Sequence, residues 1–338
     1  MSYSIWMLEY SHCLEHPVGC ITYGTWDGST RMFAYSYAYI EGDGHQILVD
    51  VGHDNRGSNK EFNDANNIVD YRSPDEVLAK VGVTPEQIDT VILTHAHYDH
   101  AGAARYFPNA TFYLQRVELE SSRWALDNAR LYASIITALD PEDVTMLEQL
   151  ADSGRLRLLD GPVENLYPGL HIRTALDTHT MGGQYVVVEN GGDNWVVTGD
   201  ALYSYENAEG IGQSGVPVNI GFGGGSGWRG LQIIDEMAKT AVDTNRLVIV
   251  HEYDTFRRHP SRKFDDKLQV AELVLADGEA SRIQHPAVPK APVPEPAVPA
   301  SAVPASAVPE SAESKPADQT APEPAAAATT TPKEHRHA

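Results

Sequence analysis

The segment Thr94-His95-Ala96-His97-Tyr98-Asp99-His100 places three imidazoles and a carboxylate within a single short run. Neutral imidazole nitrogens and carboxylate oxygens are good ligands for zinc, and also for iron or manganese. The run follows the β-branched stretch Asp89–Thr94 and precedes Ala101-Gly102-Ala103, which can open a helix. On a tight loop at a strand end, alternate residues face different ways. His95 and His97 can then serve one ion while Asp99 and His100 serve a second. A polar loop that merely happens to be rich in histidine is the competing account, and this order directly after a strand makes it the weaker one.

Each ion needs a third protein donor, and a shared ligand helps hold two cations close together. Three later residues have the right type and place. His179 lies in Asp177-Thr178-His179-Thr180-Met181-Gly182-Gly183, just past the apolar stretch ending near Ala175. Asp200 follows Trp195-Val196-Val197 through Thr198-Gly199, and His251 caps Leu247-Val248-Ile249-Val250. Taken singly, a strand-end histidine is more often a satisfied polar residue. Behind the first run, the three together fit a dinuclear site. Two such ions lower the pKa of a bound water toward neutrality and polarise a substrate oxygen, which is hydrolytic chemistry at a carbonyl, phosphoryl or thioester centre.

The positioning elements follow from periodicity. Met32–Ile40 and Gln46–Val51 form strands joined by a turn at Gly42–Gly44. Ser73-Pro74-Asp75-Glu76 carries the N-cap, N1 proline and N3 glutamate of a helix start, and Thr84-Pro85-Glu86-Gln87 repeats the signal. Ala110–Leu114 and Arg155–Leu159 are strands, with a largely helical stretch Arg116–Leu150 between them. Gly169–Ala175, Tyr185–Glu189 and Asn194–Thr198 are consecutive strands, Leu231–Ala241 a helix, and Arg246–Val250 a strand feeding His251. In each case a candidate ligand sits at the C-terminal end of a strand, where the loops of a layered α/β fold gather. Trp124, Leu131, Tyr132, Ile135 and Ile136 in the helical stretch could form a lid or a homodimer face, although core packing is the simpler expectation for most of them. Gly221–Trp228 lacks the Gly-Lys-Ser/Thr of a phosphate loop. Phe222 and Trp228 could instead wall an active site.

The succession His-x-His-x-Asp-His, a His before Thr-x-Gly, Gly-Asp and a strand-end His resembles the metallo-β-lactamase superfamily over residues 30–260. The resemblance implies a four-layer αββα sandwich of two mixed sheets. It implies two divalent metal ions, zinc foremost, with His95, His97 and His179 on one and Asp99, His100 and His251 on the other. Asp200 bridges them, and Asp50, at the end of Ile47-Leu48-Val49, supports the metal loop. Gly199-Asp200-Ala201-Leu202-Tyr203 is similar to the N-acyl-homoserine lactonase branch, where that tyrosine reaches the substrate carbonyl. Tyr203 would take this role and Asp99 would deliver a proton to the leaving alkoxide. Thr178 stands where the family usually has glycine, and Val250 and Glu252 flank His251 where glycine and aspartate are common. These departures spare the ligands and leave other small esters, amides or thioesters open, including pyridoxolactone and glutathione thioesters.

Composition narrows the partners. The 338-residue chain has 25 Lys+Arg against 47 Asp+Glu, a formal net charge of −22. The segment from Gln284 on holds four basic and six acidic residues, so nearly all the negative charge lies before it. Such a surface argues against nucleic acid and anionic membranes and for a small-molecule substrate. Cys13 and Cys20 cannot form a disulfide framework, Met1–Tyr10 lacks a basic n-region, and no apolar run is long enough to span a bilayer. These features set a cytoplasmic expectation. Residues 1–283 are expected to form the hydrolase domain. Residues 284–338, rich in Ala-Val-Pro units, are expected to be a disordered tail.

Overall fold

The computed structural model describes residues 2–284. The expected tail, from residue 285 on, lies outside the described residues. Along the chain the strands are β1 (Ser4–Pro17), β2 (Thr30–Gly42), β3 (His45–Val49), β4 (Ile68–Val69), β5 (Thr90–Ile92), β6 (Thr111–Gln115) and β7 (Leu156–Leu159). Then come β8 (Val163–Tyr167), β9 (Leu170–Leu176), β10 (Gly182–Asn190), β11 (Asp193–Val197), β12 (Leu247–Val248), β13 (Ser261–Lys263) and β14 (Gln269–Val274). The larger sheet has the order β13-β14-β1-β2-β3-β5-β6-β7, with β4 on β1, and the smaller β12-β11-β10-β9-β8. Both are mixed. β3, β5, β6 and β7 run parallel while β1, β2, β13 and β14 are antiparallel. In the smaller sheet only β11 and β12 are parallel.

Alternation along each strand produces four layers. Ile5, Met7, Ala38, Ile40, Ile47 and Val49 of the larger sheet meet Ile172, Val186, Val188 and Val197 of the smaller one. The opposite faces take the helices. Trp6, Leu8 and Leu48 pack with Val77, Leu78, Val144 and Leu147, while Tyr185, Val187 and Val196 pack under Ile233, Ile234 and Met237 of the helix Gly227–Ala241. This is the αββα sandwich expected from the sequence. The parallel strands deliver the site. The loops after β3 and β5, and those after β11 and β12, carry Asp50, His95–His100, Asp200 and His251. Gln184 locks the sheets together beside them, donating through Nε2 to the Leu93 carbonyl at 2.7 Å and accepting from Gln115 Nε2 at 2.8 Å.

β1 is the largest element that sequence periodicity misses. Both its faces are buried, so no alternation shows, and Glu9, Ser11 and His12 interrupt its apolar run. Those polar groups are paired within the core: His12 Nδ1 stands 3.0 Å from Glu9 Oε1, and the Gln269 amide donates to Glu9 Oε2 at 2.8 Å. The stretch Arg116–Leu150 is largely helical as expected, but its packing departs from expectation. It comprises the helices Arg116–Asp127, Ala129–Tyr132 and Pro141–Asp152. Leu119, Val144 and Leu147 pack in the core, but core packing does not account for the five side chains singled out above: Trp124, Leu131 and Ile135 are exposed and Tyr132 and Ile136 are half-buried. Among the described residues no helix is long and apolar enough to cross a membrane.

One buried acid makes stability depend on pH. Asp143, in the first turn of Pro141–Asp152, is 5% exposed. Burial, then the neighbouring Asp140 carboxylate, push it from 3.8 up to about 7, and Asn59 Nδ2 donates to it at 3.3 Å. The unfolded chain gives up this proton at lower pH than the folded one, so stability is lost as pH rises from about 4 to about 7. Asp143→Asn stays neutral and still accepts from Asn59. Its Tm is expected to exceed that of the unsubstituted chain by several degrees at pH 8 and to match it at pH 4. A thermal difference that does not change with pH would refute this.

Candidate metal centre

Backbone geometry places the ligand loops before side chains enter. Asp50 has φ 67°, a left-handed conformation that Asp tolerates better than most residues. Its carboxylate accepts from the Thr94 amide at 2.7 Å, Thr94 Oγ1 at 2.9 Å and His100 Nδ1 at 2.8 Å, binding the loop after β5 to the end of β3. Gly199 has φ 52°, and a Cβ there would stand 2.7 Å from Thr94 Cβ. Thr-Gly-Asp therefore needs its glycine so that Asp200 can approach the histidine loop.

The seven candidate residues converge in two buried groups: His95, His97, His179 and Asp200, and Asp99, His100 and His251. In the first, His97 Nδ1 is 3.0 Å from both His95 Nε2 and His179 Nε2. In the second, His251 Nε2 is 3.3 Å from His100 Nε2 and 3.6 Å from Asp99 Oδ2. Asp200 faces both. Its Oδ2 lies 3.3 Å from His179 Nε2 and 3.8 Å from His95 Nε2, while its Oδ1 lies 3.1 and 3.2 Å from His100 and His251 Nε2.

For four of the five rings the far side fixes the tautomer. His251 Nδ1 donates to the Ala34 carbonyl at 2.7 Å and His179 Nδ1 to that of Phe222 at 3.2 Å, because a carbonyl can only accept. Thr94 Oγ1 gives its proton to Asp50, so it accepts from His95 Nδ1 at 3.0 Å. His100 Nδ1 donates to Asp50. These four rings therefore turn Nε2 toward the common centres. Burial pulls His95 and His179 below the ordinary imidazole value and His97 down to about 3, which keeps them neutral as ligands must be. Burial opposes charge on His100 too, but the Asp200, Asp99 and Asp50 carboxylates outweigh it and hold that ring well above its usual value. Burial likewise works against the Asp99 carboxylate, and His100 and His251 overcome it, bringing it down to about 2.

The donor set fits metal. Nitrogens and oxygens at about 2.1 Å around a tetrahedral ion stand about 3.4 Å apart, and the separations here scatter around that value. Lone pairs of neutral imidazoles do not attract one another, so their convergence calls for a cation. Asp200 Oδ1 is buried with no hydrogen bond aligned on it, an unmet acceptor that a bound cation would satisfy.

Tyr203, 5% exposed, stands over the first group with its hydroxyl 3.3 Å from His179 Nδ1. Phe222 lies beside His179, with ring centroids 6.0 Å apart, whereas Trp228 is exposed on the first turn of Gly227–Ala241. Phe33, His16 and Glu118 escaped the sequence analysis, which noted Glu252 only as a departure beside His251. Phe33 stacks on His251 at 4.4 Å and carries His16 on its other face at 4.1 Å. Glu252 Oε2 accepts from the Tyr205 amide at 3.1 Å, joining the loop after His251 to the one after Asp200. Glu118 joins the other two ligand loops. Only Phe33 had a signal available, its place on an apolar strand opposite the site. The glutamates act through backbone amides, which leave no mark on a sequence.

Similarity to known proteins agrees with this geometry. Two curated N-acyl homoserine lactonases match, one from Bacillus cereus (26% identical over 134 residues, 39% of this chain and 46% of the relative) and one from Bacillus sp (28% over 136 residues, 39% and 46%). The chain thus spans about half the length of the curated relatives it matches. Among solved structures, an N-acyl homoserine lactone hydrolase with N-hexanoyl-L-homoserine at its catalytic metal centre superposes with TM-score 0.59 (20% identity, 77% of this chain and 98% of that one). A dizinc quorum-quenching lactonase superposes with TM-score 0.53 (18% identity, 74% and 88%). The family model described as the metallo-beta-lactamase superfamily matches residues 30–238, well over half the chain. With two mixed sheets, ligand loops at their shared edge and this match, the chain belongs to the metallo-beta-lactamase superfamily.

Proposed function

We propose that this chain is a dinuclear, zinc-dependent hydrolase that opens a lactone ring, with N-acyl-homoserine lactones or a related small lactone as substrate. The observation that carries the reading is Asp200, whose two oxygens divide between the two ligand groups while Tyr203 stands above one of them. His95, His97 and His179 would hold one ion, Asp99, His100 and His251 the other, and Asp200 both. The ions, when bound, supply Lewis acidity and an acidified water. Hydrolysis adds water across the acyl C–O bond: oxygen to the carbonyl carbon, a proton to the departing ring oxygen. Tyr203 donates to the carbonyl oxygen as negative charge grows on it. Asp99 takes a proton from the attacking water and passes it to the leaving oxygen. The likeness to lactonases, by sequence and by fold, supports this choice of substrate. Residues 1–283 would form the catalytic unit, in the cytoplasm.

A pH-indicator assay over lactones of varied ring and acyl length tests the proposal. Proton release on N-acyl-homoserine lactones, abolished by chelation and restored by Zn2+, is the expected result. Hydrolysis of glutathione thioesters or other thioesters without any lactone opening would overturn it.

A further inference from the structure

Glu118, in the first turn of the helix Arg116–Asp127, is 1% exposed, and it is held by backbone amides. Oε1 accepts from Ala96, the residue between His95 and His97, at 3.0 Å. Oε2 accepts from Gly182, three residues past His179, at 2.7 Å. Gly182 is glycine because a Cβ there would meet the Glu118 amide nitrogen at 2.3 Å. We propose that Glu118 is the positioning residue of the first ion site. One carboxylate sets the distance between the His95–His97 loop and the His179 turn, whose ligand nitrogens come from segments far apart in sequence. The inference rests on the two-ion reading above.

The physical case is the cost of the arrangement. A buried carboxylate survives only if hydrogen bonds replace its water, and bonds to an ionised acceptor are about twice as strong as neutral ones. Burial pushes the Glu118 carboxyl up, and the Ala96 amide, the Thr180 hydroxyl and the Gly182 amide work against that push. A buried charge spanning two ligand-bearing loops fixes them more rigidly than packing alone. The second group has other supports: Asp50 on His100 and the Ala34 carbonyl on His251. Loss of Glu118 should therefore weaken one ion and spare the other.

Glu118→Gln keeps the shape but turns an amide NH2 toward one of the two N–H donors, so one arm is lost. The full-length protein, stripped by chelation, is titrated with Zn2+ against a chromophoric chelator, and with Co2+ followed by its visible absorption. The expected result is two ions in both chains, one of them bound about 10–100-fold more weakly in E118Q, with only that site's Co2+ bands changed. Unchanged affinities overturn the inference. So does a parallel fall at both sites, which would mark a general loss of structure. Should E118Q not fold, Gly182→Ala displaces the same arm from β10 and must give the same single-site loss, or the inference fails. An unsubstituted chain that takes up fewer than two ions would overturn the two-ion reading itself, and this inference with it.

Discussion

Asp200→Ala is expected to leave the protein folded, with fewer than two ions per chain, and to lower kcat/KM by more than about a thousandfold. The size follows from its position. Replacing a residue that merely orients a metal ligand costs about 10–100-fold in affinity or activity. Asp200 reaches both ligand groups directly, Oδ2 toward His95 and His179 and Oδ1 toward His100 and His251. On the two-ion reading, its loss would remove one donor from each site and the negative charge between the two cations. Removing His97 alone should deplete one site and leave the second partly filled. Elemental analysis alongside kcat/KM separates the two variants. Asp200→Ala protein retaining two tightly bound ions and near-full lactone hydrolysis would remove the bridging role.

What was legible in the sequence was chemical type. His95, His97, Asp99 and His100 are neighbours in the chain, so their density stands out without a fold. His179, Asp200 and His251 are single residues, legible because each ends an apolar strand. What held those strands together was less visible. β1, central to the larger sheet, is buried on both faces and interrupted by Glu9 and His12, so neither alternation nor uniform hydrophobicity marks it. Glu118 has the composition of any exposed helical glutamate, and only the approach of Ala96 and Gly182 distinguishes it. Trp124, Leu131 and Ile135 look like core residues by type, yet Trp124 lies on the exposed face of Arg116–Asp127, and Leu131 and Ile135 fall in the short, broken segment after it. The candidate ligands are thus legible locally in the chain. Ligand support and burial are tertiary and travel through backbone groups that every residue shares.

Tyr203→Phe is expected to lower kcat by about 100-fold, a loss of about 2.7 kcal/mol of transition-state stabilisation, with KM, ion content and Tm little changed. Phenylalanine preserves the ring, which packs edge-on to Phe33 at 5.4 Å and to His251 and His179 at 5.7 Å, so the variant isolates the hydroxyl. That hydroxyl is a donor, hydrogen-bonded to the Asp200 carboxylate. His179 Nδ1 is already a donor toward the Phe222 carbonyl, so at 3.3 Å the Tyr203 oxygen can only accept from it, and its own proton remains for another oxygen. Burial, and then the Asp200 and Asp99 carboxylates, push the phenol well above its ordinary value, so it stays protonated throughout the working range. A neutral donor fixed in a buried site gains most when charge appears on its acceptor, as on a carbonyl oxygen under attack. The effect should therefore fall on kcat. If KM rose while kcat held, Tyr203 would bind ground and transition states alike. If neither moved, the hydroxyl would serve only to brace His179, and oxyanion stabilisation would have to come from the ions alone.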